Sequence, residues 1–443
     1  MEVDILIKNA YIVTMNSESS IYEFGTLAIL GNTIVAIGKS EDIEYFTSSN
    51  EIDAMGSLVM PGLINAHTHA AMSIYKGMAD DLNLHEWLHK YIFPAEAKFC
   101  NADTVSTGSQ LAIMEMIRFG TTCFADMYYF QEKTAEICFL LGMRAVLGQA
   151  ILDFPAPDFK SSNDALLHTE MLMQKYNNSQ LVTIVPGPHS PYTCNKETLI
   201  QSRQLANKYN VPLHIHISET MLEYEESIKN NEKTPIEYCD DLDLFNGKTI
   251  AAHCVYINDN DRSILKNKKV GVVNNAISNM KLCSGVAPVY FMKEAGVTVG
   301  IGTDGVVSNN TLDIFEEMKT VAMVHKLNTN DPTALNAKTV VEMATIENAK
   351  ILGLDSQIGS LEVGKKADLI LINLNQPHLI PLYNIYSHIV YAIKGGDVDT
   401  VIINGEIVML NKTVQYSEAL DVAIDAQLIA NEVKEYMETV NAS

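Results

Sequence analysis

Through the middle of the chain, short apolar runs rich in β-branched residues alternate with helical stretches. The runs cover 58–65, 121–127, 145–151, 181–187, 212–216, 249–253, 270–274 and 297–304. Runs this short and this continuously apolar read as strands buried on both faces. Eight of them separated by helices predict an α/β fold, a closed parallel (β/α)8 TIM barrel. A doubly wound open sheet is the rival. It is disfavoured because the first run opens into Pro61-Gly62-Leu63-Ile64-Asn65 and not into a glycine-rich phosphate loop.

The two ends of the chain have a different rhythm. Residues 4–7, 10–13, 26–30 and 33–37 read as short strands divided by turns at Gly31-Asn32 and Gly38. Towards the other end, 367–372 and 400–403 are strand-like, and Asn404-Gly405 is a hairpin signal before 406–409. The pattern predicts a barrel at 58–365 and a small β-sandwich domain built from both termini, 1–57 and 366–415. The closing segment, 416–443, is amphipathic over 417–439 and predicts a helix, either packed on the barrel or held in a subunit contact. A chain of 443 residues is long enough for one large domain and a smaller companion.

Composition narrows the function classes. The net charge is −23 and basic residues form no cluster, which argues against a nucleic-acid partner. No apolar run reaches the roughly 18 residues that span a bilayer. The start, Met1-Glu2-Val3-Asp4, lacks the basic and apolar regions of a secretory signal. Seven scattered cysteines without CxxC pairing suit a reducing compartment. The expectation is a soluble cytoplasmic protein with no membrane partner.

Four features carry chemistry. In Asn65-Ala66-His67-Thr68-His69, two imidazoles two residues apart at a strand end project to one side, which is half of a metal site. In His214-Ile215-His216-Ile217-Ser218-Glu219, His216 ends a strand and Glu219 follows, giving one metal ligand and one proton-transfer group. His214, deeper in the strand, reads as a core histidine. Ile250-Ala251-Ala252-His253 is an apolar strand ending in histidine, and Gly300-Ile301-Gly302-Thr303-Asp304 carries a tight backbone to an aspartate. His85 and His89, four apart, read as surface positions of a helix or loop.

Taken singly, each feature suits packing as well as catalysis. Their register does not. His67, His69, His216, His253 and Asp304 fall at the C-terminal ends of the first, fifth, sixth and eighth strands, the face on which barrels build active sites. Three imidazoles and a carboxylate (His67, His69, His216, Asp304) make a nitrogen-rich site suited to Zn²⁺, with Fe²⁺ the alternative. A second metal would need a bridging group, such as a modified lysine ending the fourth strand. That end reads Val185-Pro186-Gly187-Pro188-His189, so one ion per subunit is predicted.

With these residues placed, the chain resembles the amidohydrolase superfamily, in its single-zinc deaminase branch, and within it the 5-methylthioadenosine/S-adenosylhomocysteine deaminases. The likeness runs through Pro61 to His69, Gly187-Pro188-His189-Ser190-Pro191-Tyr192, His214 to Thr220 and Ser278-Asn279-Met280-Lys281-Leu282. It continues in Gly302-Thr303-Asp304-Gly305, Ser308-Asn309-Asn310 and Gly359 to Asp368. The resemblance implies zinc on His67, His69, His216 and Asp304, catalysis by Glu219, His253 and Asp304, and substrate contacts from His189, Glu219 and Asp304. Glu96, in Pro94-Ala95-Glu96, inherits the ribose hydroxyls; by pattern alone it reads as a solvated helix residue.

One departure bears on specificity. Relatives that take S-adenosylhomocysteine well can carry arginines after the third strand. Here Arg144 stands at the start of that strand, Gln149 near its end, and the loop that follows is Asp153-Phe154-Pro155-Ala156-Pro157-Asp158-Phe159. A carboxylate-bearing 5′ group would lack a bidentate partner. Gln149 is therefore assigned to the substrate's 5′ end, and 153–162 to a lid over it. The implied reaction is hydrolytic removal of the 6-amino group of 5′-methylthioadenosine, 5′-deoxyadenosine, adenosine or S-adenosylhomocysteine, giving the inosine analogue and ammonia. The alternatives are a same-fold guanine or pterin deaminase or triazine chlorohydrolase and, more remotely, a non-catalytic barrel scaffold. Such barrels commonly assemble as homo-oligomers, dimers or tetramers.

Overall fold

The computed structural model describes residues 1–43, 45–82 and 86–441. The eight central strands form two four-stranded parallel sheets. Leu63–Thr68, Thr121–Tyr128, Arg144–Ile151 and Val182–Pro188 pair in that order, as do Leu213–Ile217, Thr249–His253, Gly271–Asn274 and Thr298–Ile301. Backbone hydrogen bonds join the two sheets near the C-terminal ends of their strands. His216 N donates to the carbonyl of His189 and Asp304 N to that of His67, both at 3.0 Å. The strands are almost wholly buried, and helices follow them in alternation. The fold is the predicted (β/α)8 barrel.

One expectation needs correcting. The run 58–65 is not a single barrel strand. Leu58–Pro61 pairs with Leu369–Ile372 and Ile5–Val13 outside the barrel, and the first barrel strand begins at Leu63. Pro61 has no N–H to carry a ladder onward. Gly62 lies so close to Thr122 that a side chain there would collide with it. Both halves of the run are buried, so hydrophobicity alone does not mark the break.

The two ends of the chain combine in one nine-stranded sheet. Residues 4–7 and 10–13 belong to a single strand, Ile5–Val13, whose register against Ile21–Leu30 shifts where Asn9 adopts φ 55°. Asn404-Gly405 joins Val398–Ile403 to Glu406–Leu410. A separate apolar cluster that includes Ile7, Ile12, Leu27, Ile29, Leu369 and Ile402 gives this sheet its own core. Arg144 ties it to the barrel. Its buried guanidinium meets both oxygens of Asp368 at 2.6 and 2.9 Å.

The last helix, Ala419–Asn441, packs on the helix Ala102–Arg118, with Val433 and Met437 buried and Tyr436 edge-on to Phe99. Among the described residues no helix is long and apolar enough to cross a membrane.

Candidate active site

Each candidate metal ligand is delivered by a strand end. His67 and His69 close the first strand with side chains on one side, as a period of two requires. His216 comes from the fifth strand and Asp304 from just past the eighth. The eighth strand approaches closely because position 302 is glycine. A Cβ there would stand 2.8 Å from both the N and O of His67.

The donor atoms converge. Asp304 Oδ1 lies 3.5 Å from His67 Nε2 and 3.2 Å from His69 Nε2, and His69 Nε2 is 3.3 Å from His216 Nε2. His67 Nε2 is buried without a hydrogen-bond partner, which an ion among these ligands would satisfy. Every ring is aimed by its other nitrogen. Nδ1 of His67 meets His214 Nε2 at 2.9 Å, that of His69 the carbonyl of Met127 at 2.6 Å, and that of His216 the carbonyl of His189 at 2.9 Å. Such second contacts fix the tautomer and orientation a metal ligand needs. His214 is the fully buried core histidine expected, and it also orients the candidate ligand His67.

Burial and mutual charge set the protonation of these groups. Burial pushes His67 down to about 4, the neutral form that binds metal. His69, burial notwithstanding, is raised to about 9 by the carboxylate of Asp304. Burial would raise Asp304, yet the two imidazoles hold it well below the usual range. Its Oδ2 accepts from Ser278 Oγ at 2.7 Å and Ser308 Oγ at 3.3 Å, and Oδ1 from Gly305 N at 2.8 Å.

Glu219 and His253 stand beside this cluster, 3.9 Å apart. Glu223 holds the backbone under Glu219, its two oxygens accepting from Ser218 N and Glu219 N at 2.8 Å each. Burial raises the carboxyl of Glu219, partly offset by His253. Nδ1 of His253 accepts from Asn279 Nδ2 at 3.0 Å, which leaves Nε2–H towards Glu219. His189 is pushed down to about 3 by burial and the neighbouring imidazoles.

These groups line one cavity of about 530 Å³ with His69, His216, Asp304, Glu219, His253, His189 and Glu96 on its wall. That volume suits a small-molecule ligand. Glu96 is buried, pushed up to about 7 by that burial, and accepts from Tyr128 Oη at 2.6 Å. Much of the remaining wall is apolar and aromatic, with Trp87, Leu88, Ile92, Phe93, Leu152 and Phe154.

The sequence profile of the amidohydrolase family matches residues 58–408. The chain belongs to the amidohydrolase family. It is 44% identical over 425 residues to the 5-methylthioadenosine/S-adenosylhomocysteine deaminase of Thermodesulfovibrio yellowstonii, covering 95% of this chain and 97% of that one. To the 5′-deoxyadenosine deaminase of Methanosarcina mazei it is 43% identical, covering 97% and 98%. A crystal structure of an adenosine deaminase from Xanthomonas campestris with bound zinc superimposes with a TM-score of 0.96 at 33% identity, over 98% of this chain and 99% of that one.

In this amidohydrolase most predicted site residues line the cavity; His67 lies fully buried behind its wall, 3.5 Å from Asp304 Oδ1, and Gln149 stands apart. Gln149 is fully buried and does not line it. Its Nε2 donates to Asp158 Oδ2 at 2.8 Å, so it pins the following loop and does not face a ligand. His89 is exposed, as expected of a surface position, and it also reaches the cavity. A π-helical turn over Trp87–Ile92 places it on the cavity wall. His85 lies outside the described residues. Ser278, Asn279 and Ser308 sit inside motifs that sequence comparison picks out, yet only the folded chain shows what they touch. Glu223 carries no signal beyond its place one turn after Glu219.

Proposed function

We propose that this chain hydrolytically deaminates an adenosine-type nucleoside, replacing the purine 6-amino group by oxygen and releasing ammonia. One observation carries the reading. Glu96, His189, Glu219, His253 and Asp304 all line one cavity, in a chain 43–44% identical to deaminases of such nucleosides. The zinc-bound adenosine deaminase supports zinc in the site. One ion per subunit, with Fe²⁺ the alternative, is inferred from the ligand types and from the absence of a lysine at the end of the fourth strand.

His67, His69, His216 and Asp304 would hold zinc, which would make a water at the site far more acidic than bulk water. The chain's own groups then move the protons. Glu219 keeps its proton longer than an exposed carboxyl because it is buried. It gives that proton to the ring nitrogen beside C6 as water adds to C6, and recovers one from the C6 hydroxyl as the C–N bond breaks and the carbonyl forms. His253 presents Nε2–H to the attacking oxygen. Asp304 takes the water's proton and passes it to the departing ammonia. Glu96, with one oxygen engaged by Tyr128, offers the other to the ribose hydroxyls.

The 5′ group belongs with neutral substituents. No lysine or arginine is among the described lining residues, and Arg144 is committed to Asp368. The experiment is ammonia release across 5′-methylthioadenosine, 5′-deoxyadenosine, adenosine, S-adenosylhomocysteine, guanine and pterin. Neutral nucleosides are expected to exceed S-adenosylhomocysteine in kcat/KM by about 10-fold or more, the cost of an unpaired carboxylate. Activity on free bases alone would overturn the nucleoside, and parity with S-adenosylhomocysteine the neutral 5′ group.

The reading extends to a cytoplasmic homo-oligomer, a dimer or tetramer. Seven unpaired cysteines support the reducing setting. The apolar face Leu420, Ile424 and Leu428, exposed on the last helix, supports subunit association.

A further inference from the structure

Ser278, Asn279 and Ser308 orient the site, yet they stand on elements with little stability of their own. Ala276–Lys281 has six residues and Val306–Asn309 four, and neither helix has a side-chain N-cap. Helices this short do not persist alone in water, and their first N–H groups need acceptors. For the first helix the acceptor comes from another element. Glu317, fully buried on the helix Ile314–Thr329, takes Ile277 N–H on Oε2 at 3.5 Å and Asn309 Nδ2 on Oε1 at 2.7 Å. Asn309 Nδ2 also reaches the carbonyl of Thr303 at 2.7 Å, one residue before Asp304. A single carboxyl thus ties both short helices to the strand end that carries Asp304.

We propose that Glu317 is a positioning residue, holding Asp304 and His253 in their working geometry through Ser278, Asn279 and Ser308. The path is short and every link is a hydrogen bond. Glu317 fixes the helix from which Ser278 reaches Asp304 Oδ2 and Asn279 reaches His253 Nδ1. Through Asn309 it fixes the helix from which Ser308 reaches the same Oδ2 and bonds Ser278 at 2.9 Å. Glu317 itself is absent from the cavity wall. Packing does not explain an acid here. The bonds it makes are to neutral donors, and burial drives its carboxyl well above the usual range. A leucine would fill the space without that cost. What the acid adds is acceptors, and both go to elements that touch the site.

The test compares Glu317→Leu, which keeps volume and removes both acceptors, with Glu317→Gln, which keeps one. The readouts are zinc release to a chelator, kcat and KM, with circular dichroism reporting the fold. Zinc release in the leucine variant is expected to quicken about 10-fold, and kcat to fall about 10- to 100-fold with KM within about 3-fold. The glutamine variant should lie between it and wild type. Wild-type release and kcat in a folded leucine variant would overturn the proposal. Should that variant not fold, wild-type values in the glutamine variant would do so. The kcat arm rests on the deaminase reading, and the release arm does not. Inactivity of the wild type on every nucleoside, with release still faster in the variants, would remove that reading and leave Glu317 its role.

Discussion

Ser218, His253, Cys254 and Asp304 all adopt left-handed backbone, at φ 54°, 79°, 48° and 62°. Non-glycine residues reach that region at a cost and concentrate at functional sites. Here they turn side chains from three strand ends into one cavity. Glu223 holds the first of these turns, since Ser218 N and Glu219 N both donate to it. Glu223→Ala removes both acceptors, and kcat is expected to fall about 10-fold as Glu219 loses its fixed backbone. The same residue makes a pH prediction. Burial pushes its carboxyl from 4.5 up to about 7, so the folded chain keeps this proton longer than the unfolded chain. The stability linked to it is whole below about pH 4.5 and is lost as pH rises through about 7. The Tm advantage of wild type over Glu223→Ala should therefore shrink across that window. A constant or widening gap would contradict the assignment.

Among the elements, the loop after the third barrel strand decides how much of the cavity is preformed. Asp158 Oδ2 accepts from Gln149 Nε2 at 2.8 Å and Phe130 N at 3.0 Å, while Asp153 Oδ1 accepts from Ser162 Oγ at 2.5 Å and Thr198 Oγ1 at 2.8 Å. Between these anchors Phe154 joins the wall. Gln149→Ala frees one anchor and leaves the chemistry intact, so KM is expected to rise about 10-fold with kcat changed little. A fall in kcat at constant KM would put Gln149 in the reaction instead. Gln149 also marks where sequence reading stops. Strand alternation and strand ends brought His67, His69, His216, His253 and Asp304 together, because period and register are properties of the chain itself. Whether Gln149 faces a ligand depends on a carboxylate nine residues on, and the placement of His89 on a π-helical turn. Neither leaves a periodic trace. The break at Gly62 escaped for a related reason, since hydrophobicity reports burial without naming the sheet that does the burying.

Across the whole molecule, the pair between Arg144 and Asp368 fastens the barrel to the sheet built from both chain ends. It is buried and bidentate, and Asp368 also accepts from Asn404 N at 2.8 Å. Two charges are costly to bury, but stranding one costs more than removing both. Arg144→Met leaves the carboxylate of Asp368 without its cation and is expected to lose about 3–5 kcal/mol of stability, measured by denaturant unfolding of the metal-loaded protein. Arg144→Met combined with Asp368→Leu should recover much of that loss. Because Arg144 begins its strand and the cavity lies at the opposite end, kcat/KM of the folded single variant should stay near wild type for every nucleoside. A selective loss with S-adenosylhomocysteine would show the arginine reaching a ligand carboxylate after all. A double variant no more stable than the single one would show that the latch is more than an exchangeable charge pair.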